Sequence, residues 1–160
     1  FFSMMKSGNF FVFAVVRHPF SRLKSAYIEK IRGNRPQALN VIRFYEARGK
    51  NLVGDARNIT FNDFAKYVCS IKEPRQYDAH WRPQFYQTSP DVIPYSRIVR
   101  FESLDEEMFD LSKKFGLRWD SRKLNRGERL DCQDSNFSID DEVNKKLMET
   151  YKIDYEEFFY

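Results

Sequence analysis

Apolar residues follow two rhythms along this 160-residue chain. The first is a short unbroken run, Phe10 to Val16, whose Phe and Val content predicts a buried strand. Directly beyond it, Phe20, Leu23, Tyr27, Ile28 and Ile31 recur at three- and four-residue steps, the period of an amphipathic helix. Pro19 suits the first turn of that helix and Gly33 its end. A weaker helical pattern runs through NRPQALNVIRFYEARG to Gly49, GKNLVGDARN reads as a loop, and TFNDFAKYVCSI reads as a helix with Thr60 as N-cap. The stretch from Glu73 to Pro94 carries four prolines and reads as irregular, pinned down by Trp81, Phe85 and Tyr86. Arg97 to Glu102 is the second strand pattern. Ser103, followed by Glu106, has capping-box spacing and opens a helix that closes at Gly116. NRGERLD reads as a polar loop, Ser138 caps a last helix through Tyr151, and DYEEFFY closes the sequence.

Two strands among about five helices predict an α/β arrangement, read as a single domain over residues 1–160. The long helical connection between the strands predicts that they lie parallel. Two strands make a poor sheet, so one or more strands are expected to precede this sequence. The absence of an initiator Met fits the later part of a larger polypeptide.

Composition narrows the function. Hydrophobic residues make up 42% and aromatics 17%, which excludes a disordered chain. The net charge of +4, from 27 basic and 23 acidic residues, suits an anionic ligand. Basic and acidic residues alternate with no basic stripe, so a nucleic-acid binder ranks last among the readings. Cys69 and Cys132 have neither a dense disulfide framework nor metal-ligand spacing, and free thiols are favoured over a pair. No metal is expected, and no apolar run approaches the roughly 20 residues of a membrane span. GKNLVGDA has the glycine spacing of a phosphate loop, but Asp55 and Ala56 stand where Lys and Ser/Thr are needed.

The stretch VVRHPFSRLKSAY holds the strongest candidate chemistry. Arg17 stands at the end of a strand and just before a helix, whose N-terminus offers unpaired N–H groups and positive potential. A guanidinium there can grip a phosphate through two parallel N–H bonds. Ser21, Arg22 and Ser25 share one helix face, while Phe20, Leu23 and Tyr27 take the core side. The alternative is an amphipathic helix whose arginines sit in solvent or pair with Glu29.

FAVVRHPFSRLKSAYIEK resembles the 3′-phosphate-binding segment of sulfotransferases that use PAPS (3′-phosphoadenosine 5′-phosphosulfate), and is closest to the carbohydrate type. HWRPQ is similar to that family's His-Trp-x-Pro-Gln segment, IVRFESLDEEM to the strand and helix that follow it, and YKIDYEEFFY to its usual ending. The resemblance spans nearly the whole sequence. It implies a P-loop-like, three-layer α/β fold with a parallel sheet, and sulfuryl transfer from PAPS to a hydroxyl, with a carbohydrate as the expected acceptor. Arg17 and Ser25 would bind the 3′-phosphate of PAPS or its product PAP, and Arg126 and Gly127, in LNRGERL, would close a loop over the nucleotide. That loop also reads as a solvated basic turn. His80 is the candidate catalytic base or a residue that merely orients its loop. Trp81 would stack on a sugar face or belong to the core.

Two departures from the family pattern shape the expectation. The family's lysine-bearing loop for the 5′-phosphosulfate should lie ahead of Phe10, so transfer by this chain alone is expected to be weak. A PAP- or PAPS-binding module without catalysis is the alternative function. FYQTSP follows the Pro-Gln pair where animal members place cysteines, which favours a bacterial-type protein in reducing cytoplasm. The alternative setting is the Golgi lumen, within a longer membrane-anchored chain.

Overall fold

Strand β1 (Phe13–Val16) lies parallel to strand β2 (Arg97–Arg100), with Phe13 opposite Arg97 and Val16 opposite Arg100. The parallel pairing is the one the long connection predicts. The computed structural model describes residues 10–50, 56–120 and 137–160. Both strands begin later or end earlier than their apolar runs: Phe10 to Val12 lie outside β1, and Phe101–Ser103 turn into a 3₁₀ helix after β2.

Helix α1 (Pro19–Ala26) starts at the predicted proline and continues into a wider π-helical stretch, Tyr27–Arg32, that ends at Gly33. A Cβ at Gly33 would run into the Glu29 carbonyl oxygen, so only glycine fits this stop. Helix α2 (Ala38–Glu46) is shorter than its pattern, because Arg35 to Gln37 form a turn before it. Helix α3 (Phe61–Ser70) has the predicted Thr60 N-cap, whose hydroxyl accepts from the Asp63 N–H while Asp63 accepts from the Thr60 N–H. The proline-rich stretch is less irregular than expected. It contains a 3₁₀ turn at Pro74–Gln76 and a single-turn helix, α4 (Phe85–Thr88).

Helix α5 (Leu104–Phe115) closes at Gly116, whose φ of 64° is the left-handed conformation glycine adopts without strain. Its expected capping box does not form. The 3₁₀ turn ahead of the helix directs the Ser103 hydroxyl to the Arg100 carbonyl oxygen instead. The last helical region splits at Tyr151 into α6 (Asp141–Thr150) and α7 (Lys152–Phe158). Asp140, not Ser138, stands at the start of α6, and Asn62 and Lys66 of α3 donate to its carboxylate. The glycine-rich loop around GKNLVGDARN lies partly, and NRGERLD wholly, outside the described residues.

Most of the core is helical and aromatic. Tyr27 is its centre: its hydroxyl donates to the Ile59 carbonyl oxygen at 2.6 Å, and its ring meets Phe61, Phe64 and Phe137. Trp81 is 1% exposed and packs edge-on against Phe64 and Tyr67, so it belongs to the core, and the sugar-stacking alternative is set aside. A second, smaller cluster joins Val99 of β2 to Leu104 and Leu111 of α5. Among the described residues no helix is long and apolar enough to cross a membrane.

Thr60→Ala removes the α3 cap and is expected to cost about 1 kcal/mol in urea unfolding at neutral pH. Burial raises the Asp63 pKa, but bonds from Lys50 and Thr60 outweigh it and hold the group below its ordinary value. Asp63 therefore contributes stability above the unfolded carboxylate pKa of about 4, and that contribution is lost as pH falls through its lower native pKa. The gap between wild type and Thr60→Ala should narrow over that acid range.

Candidate functional site

The parallel register brings the C-terminal ends of both strands to one place. Arg17 and His18 emerge from β1, and Phe101 and Glu102 emerge from β2. The Arg17 guanidinium carbon lies 4.8 Å above the Phe101 ring. The His18 N–H donates to Glu102 Oε1 at 2.8 Å, and the Tyr160 hydroxyl donates to Glu102 Oε2 at 3.1 Å. The His18 ring stands edge-on to Tyr155 and Tyr160. Burial lowers its pKa against the opposing pull of Glu102, which favours neutral imidazole at neutral pH.

His18 is the N-cap of α1, but no side chain caps the helix, and its first turn carries no acidic residue. Pro19 removes one N–H that would otherwise need a partner. The helix start contributes positive potential beside the Arg17 position, partly countered by the Glu102 carboxylate on the His18 N–H. Ser21, Arg22 and Ser25 share a face of α1, as the period predicts, and Ser25 is half-buried. Lys24 does not reach solvent: it is 3% exposed, with Nζ over the Phe20 and Phe137 rings at 4.8 and 4.9 Å.

Arg22 does something neither sequence reading anticipates. It neither lies in solvent nor pairs with Glu29, which is bonded to Lys30. Its Nη1 donates to the Arg82 carbonyl oxygen at 2.6 Å, and its Nη2 to the Ala79 carbonyl oxygen at 2.6 Å and Gln87 Oε1 at 2.7 Å. The guanidinium thus ties α1 to the segment that carries His80.

Gln84 ties the same segment to β1. Its Oε1 accepts from the Arg17 N–H at 2.8 Å, and its Nε2 donates to the Arg17 carbonyl oxygen at 2.7 Å. The side-chain amide therefore serves the Arg17 peptide much as a neighbouring strand would. Asp154, with no exposed surface, fixes Gln84 in turn by accepting from the N–H groups of Gln84 at 2.8 Å and Phe85 at 2.9 Å. Burial raises the Asp154 pKa, against the lowering effect of those two bonds and of Arg22. The Tyr151 hydroxyl donates to the Trp81 carbonyl oxygen at 2.6 Å, and burial holds that phenol well above its usual pKa.

His80 stands out from this frame, with its side chain 40% exposed. Asp78 Oδ1 lies 2.9 Å from the His80 main-chain nitrogen and 2.5 Å from Nδ1. Burial raises the Asp78 pKa, but the main-chain and ring bonds of His80 outweigh it, and the group titrates below its usual value. An ionised Asp78 selects the tautomer with a proton on Nδ1, which leaves Nε2 as the acceptor.

The structure thus brings Arg17 and the HWRPQ segment together and sets His80 in a carboxylate-oriented position. Ser25 lies on the Arg22 face of the same helix. Arg126 and Gly127 lie outside the described residues. Sequence reasoning missed Arg22, Asp78, Gln84, Glu102 and Asp154. For Asp154 a signal existed: it shares a helix face with the buried Tyr151 and Phe158, an acid at an apolar position. Among the described residues no group of His, Cys, Asp and Glu is placed to hold a metal.

Residues 2–160 match the sulfotransferase family. The chain is 29% identical over 115 residues to carbohydrate sulfotransferase 14 of Danio rerio, covering 68% of this chain and 30% of that protein. To the Homo sapiens protein of the same name it is 29% identical over 104 residues, 62% of this chain and 27% of that protein. To carbohydrate sulfotransferase 8 of Mus musculus it is 26% identical over 98 residues, 58% and 24% of the two chains. The matched stretch is thus less than a third of each relative's length. No solved structure matches the chain at a significant level.

Asp154→Ala is expected to lower stability by about 2–4 kcal/mol, because two buried N–H groups lose their acceptor at a cost of about 1–3 kcal/mol each. Asp154→Asn keeps one acceptor oxygen and should lose less. In wild type the raised native pKa means that stability falls as pH rises from the unfolded carboxylate value through the native one. Asp154→Asn should remove that slope, measured by urea unfolding across the acid range.

Proposed function

This chain belongs to the sulfotransferase family, and we propose that it holds the 3′-phosphate end of PAPS in an enzyme that moves the sulfuryl group to a carbohydrate hydroxyl. The observation that carries this reading is the placement of Arg17. It follows a strand paired in parallel and stands just ahead of α1, the helix that carries the half-buried Ser25. The donor set fits a phosphate: a guanidinium, a helix start with no acidic residue in its first turn, and the Ser25 hydroxyl. Arg126 and Gly127 would cover the nucleotide from the following loop. The names of the relatives support a carbohydrate as acceptor and favour an enzyme over a non-catalytic binding module.

PAPS supplies an activated sulfuryl group, and the chain's residues bind, orient and move a proton. Arg17 and Ser25 set the nucleotide end, and the Gln84 bridge fixes the Arg17 main chain so that the guanidinium departs from a defined point. His80 acts as general base, with Asp78 on Nδ1 and Nε2 taking the acceptor hydroxyl proton. Such a base contributes about 10²–10⁴-fold. Residues 1–160 form one domain in this reading. The parallel pair belongs to a three-layer, P-loop-like sheet, completed by one or more strands from preceding sequence. Of the two settings the sequence allows, the vertebrate relatives favour the Golgi lumen over bacterial cytoplasm.

Arg17→Ala should weaken binding of PAP by about 2–3 kcal/mol, and Ser25→Ala by about 1 kcal/mol, since a charged bidentate contact outweighs a single neutral bond. Calorimetry on the protein reads both, with adenosine 5′-phosphosulfate as the ligand lacking the 3′-phosphate. If Arg17→Ala binds both ligands as wild type does, the assignment of the 3′-phosphate site is wrong.

His80→Asn should lower kcat for transfer to a carbohydrate by about 10²-fold or more while PAP affinity stays within about 3-fold. Unchanged kcat would place the base elsewhere.

A further inference from the structure

Two arginines serve this site, and their surroundings divide their work. Arg22 commits three N–H bonds to the oxygens of Ala79, Arg82 and Gln87. Ala79 and Arg82 bracket His80 and Trp81 in sequence, so one side chain of α1 holds both ends of the turn that presents His80. Gln87 reinforces the grip, because its Nε2 also donates to the Ala79 carbonyl oxygen. On the other side, Asp78 takes the His80 N–H and Tyr151 donates to the Trp81 carbonyl oxygen.

Arg22 also feels the charged groups around it. Burial lowers its pKa most, the like charge of Arg17 pushes the same way, and Tyr151, Asp154 and Asp78 oppose them. It stays cationic, as arginines in proteins do. Its hold on three neutral acceptors is therefore charge-assisted, and it works against repulsion from Arg17. An anion at Arg17 would reduce that repulsion, and the Gln84 amide, bonded to the Arg17 N–H and carbonyl oxygen, joins the Arg17 position directly to the same segment.

We propose that Arg22 is a positioning residue that couples occupancy of the anion site at Arg17 to the order of the 79–82 turn carrying His80. The coupling rests on the nucleotide reading above, whereas the hold on the turn rests on the Arg22 contacts alone. A bound 3′-phosphate adds negative charge at Arg17, strengthens the Arg22 bonds to Ala79 and Arg82, and stiffens the turn that presents the His80 ring. Arg17 is thus the guanidinium for the ligand, and Arg22 the one for the protein. Lysine at position 22 keeps the charge but has no planar fork to reach both carbonyl oxygens at once.

Amide hydrogen exchange over residues 78–87, with and without PAP, tests both parts in wild type, Arg22→Lys and Arg17→Ala. Without ligand, Arg22→Lys should exchange about 10- to 100-fold faster in this segment than wild type, with amides of α3 unchanged. Gln87→Ala, which leaves the arginine in place, should show a smaller change of the same kind. With PAP, wild type should gain protection there and the nitrogen resonances of the His80 ring should shift. Arg22→Lys should bind PAP within about 3-fold of wild type and show neither response. Wild-type exchange in Arg22→Lys would overturn the positioning role. Loss of PAP binding in Arg22→Lys as severe as in Arg17→Ala would make Arg22 a ligand contact and overturn it too. Wild type that binds PAP without any change at residues 78–87 would overturn the coupling alone. Wild type that does not bind PAP would overturn the nucleotide reading and the coupling, while the ligand-free exchange still decides the positioning role.

Discussion

A carboxylate with no exposed surface must find donors, and Asp154 finds two in the main chain of Gln84 and Phe85. That requirement sets the rest of the site. Once the Gln84 main chain is fixed, its side-chain amide is aimed at the Arg17 peptide and closes two bonds with it. Arg17 is then held at the end of β1 by a side chain from a segment 67 residues away. An ionised or protonated Asp154 can each accept from at least one N–H, but only the ionised form accepts freely at both oxygens. The N–H bonds and Arg22 nearby offset only part of the cost of burying that charge, so the pKa stays raised.

Short, separated motifs in the sequence turn out to be parts of one bonded frame. RHPFSRL supplies Arg17 and Arg22, HWRPQ supplies the carbonyl oxygens and the amide, RFE supplies Phe101 and Glu102, and YKIDYEEFFY supplies Tyr151, Asp154 and Tyr160. Arg100 adds a link of its own, donating to the carbonyl oxygens of Phe158 and Phe159 at the end of α7. These bonds give each motif a physical reason for its residue types. A glutamine in HWRPQ is needed because it must donate and accept at one peptide. The tyrosine of YKID is needed because a buried carbonyl oxygen, that of Trp81, requires a donor.

What was legible in the sequence followed from local rules. Apolar periodicity located both strands and α1, α3 and α5, and the Thr60 cap formed as its spacing predicts. Local rules failed where distant residues decided. Ser138 has the right chemistry for a cap, but Asn62 and Lys66 anchor Asp140 instead, and α6 starts there. Ser103 has the right spacing, but the turn after β2 takes its hydroxyl away. At the site, Arg17 was legible because a strand end and a helix start flank it. Arg22 was not, because nothing in an amphipathic pattern tells an arginine bound for solvent from one that will grip two carbonyl oxygens. Only Asp154 left a trace, as an acid on an apolar helix face.

The sequence separations of these bonds have a kinetic meaning. His18 meets Glu102 across 84 residues, Gln84 meets Asp154 across 70, and Arg22 meets Arg82 across 60. Contacts of such span close large loops before they return any energy, so they form late and slowly. The helices around Tyr27 and Phe64 have shorter connections and can assemble first. During synthesis the frame has to wait for α7 to leave the ribosome, because until Asp154 arrives the N–H groups of Gln84 and Phe85 have no acceptor there. Helix α7 thus completes a site that β1 begins.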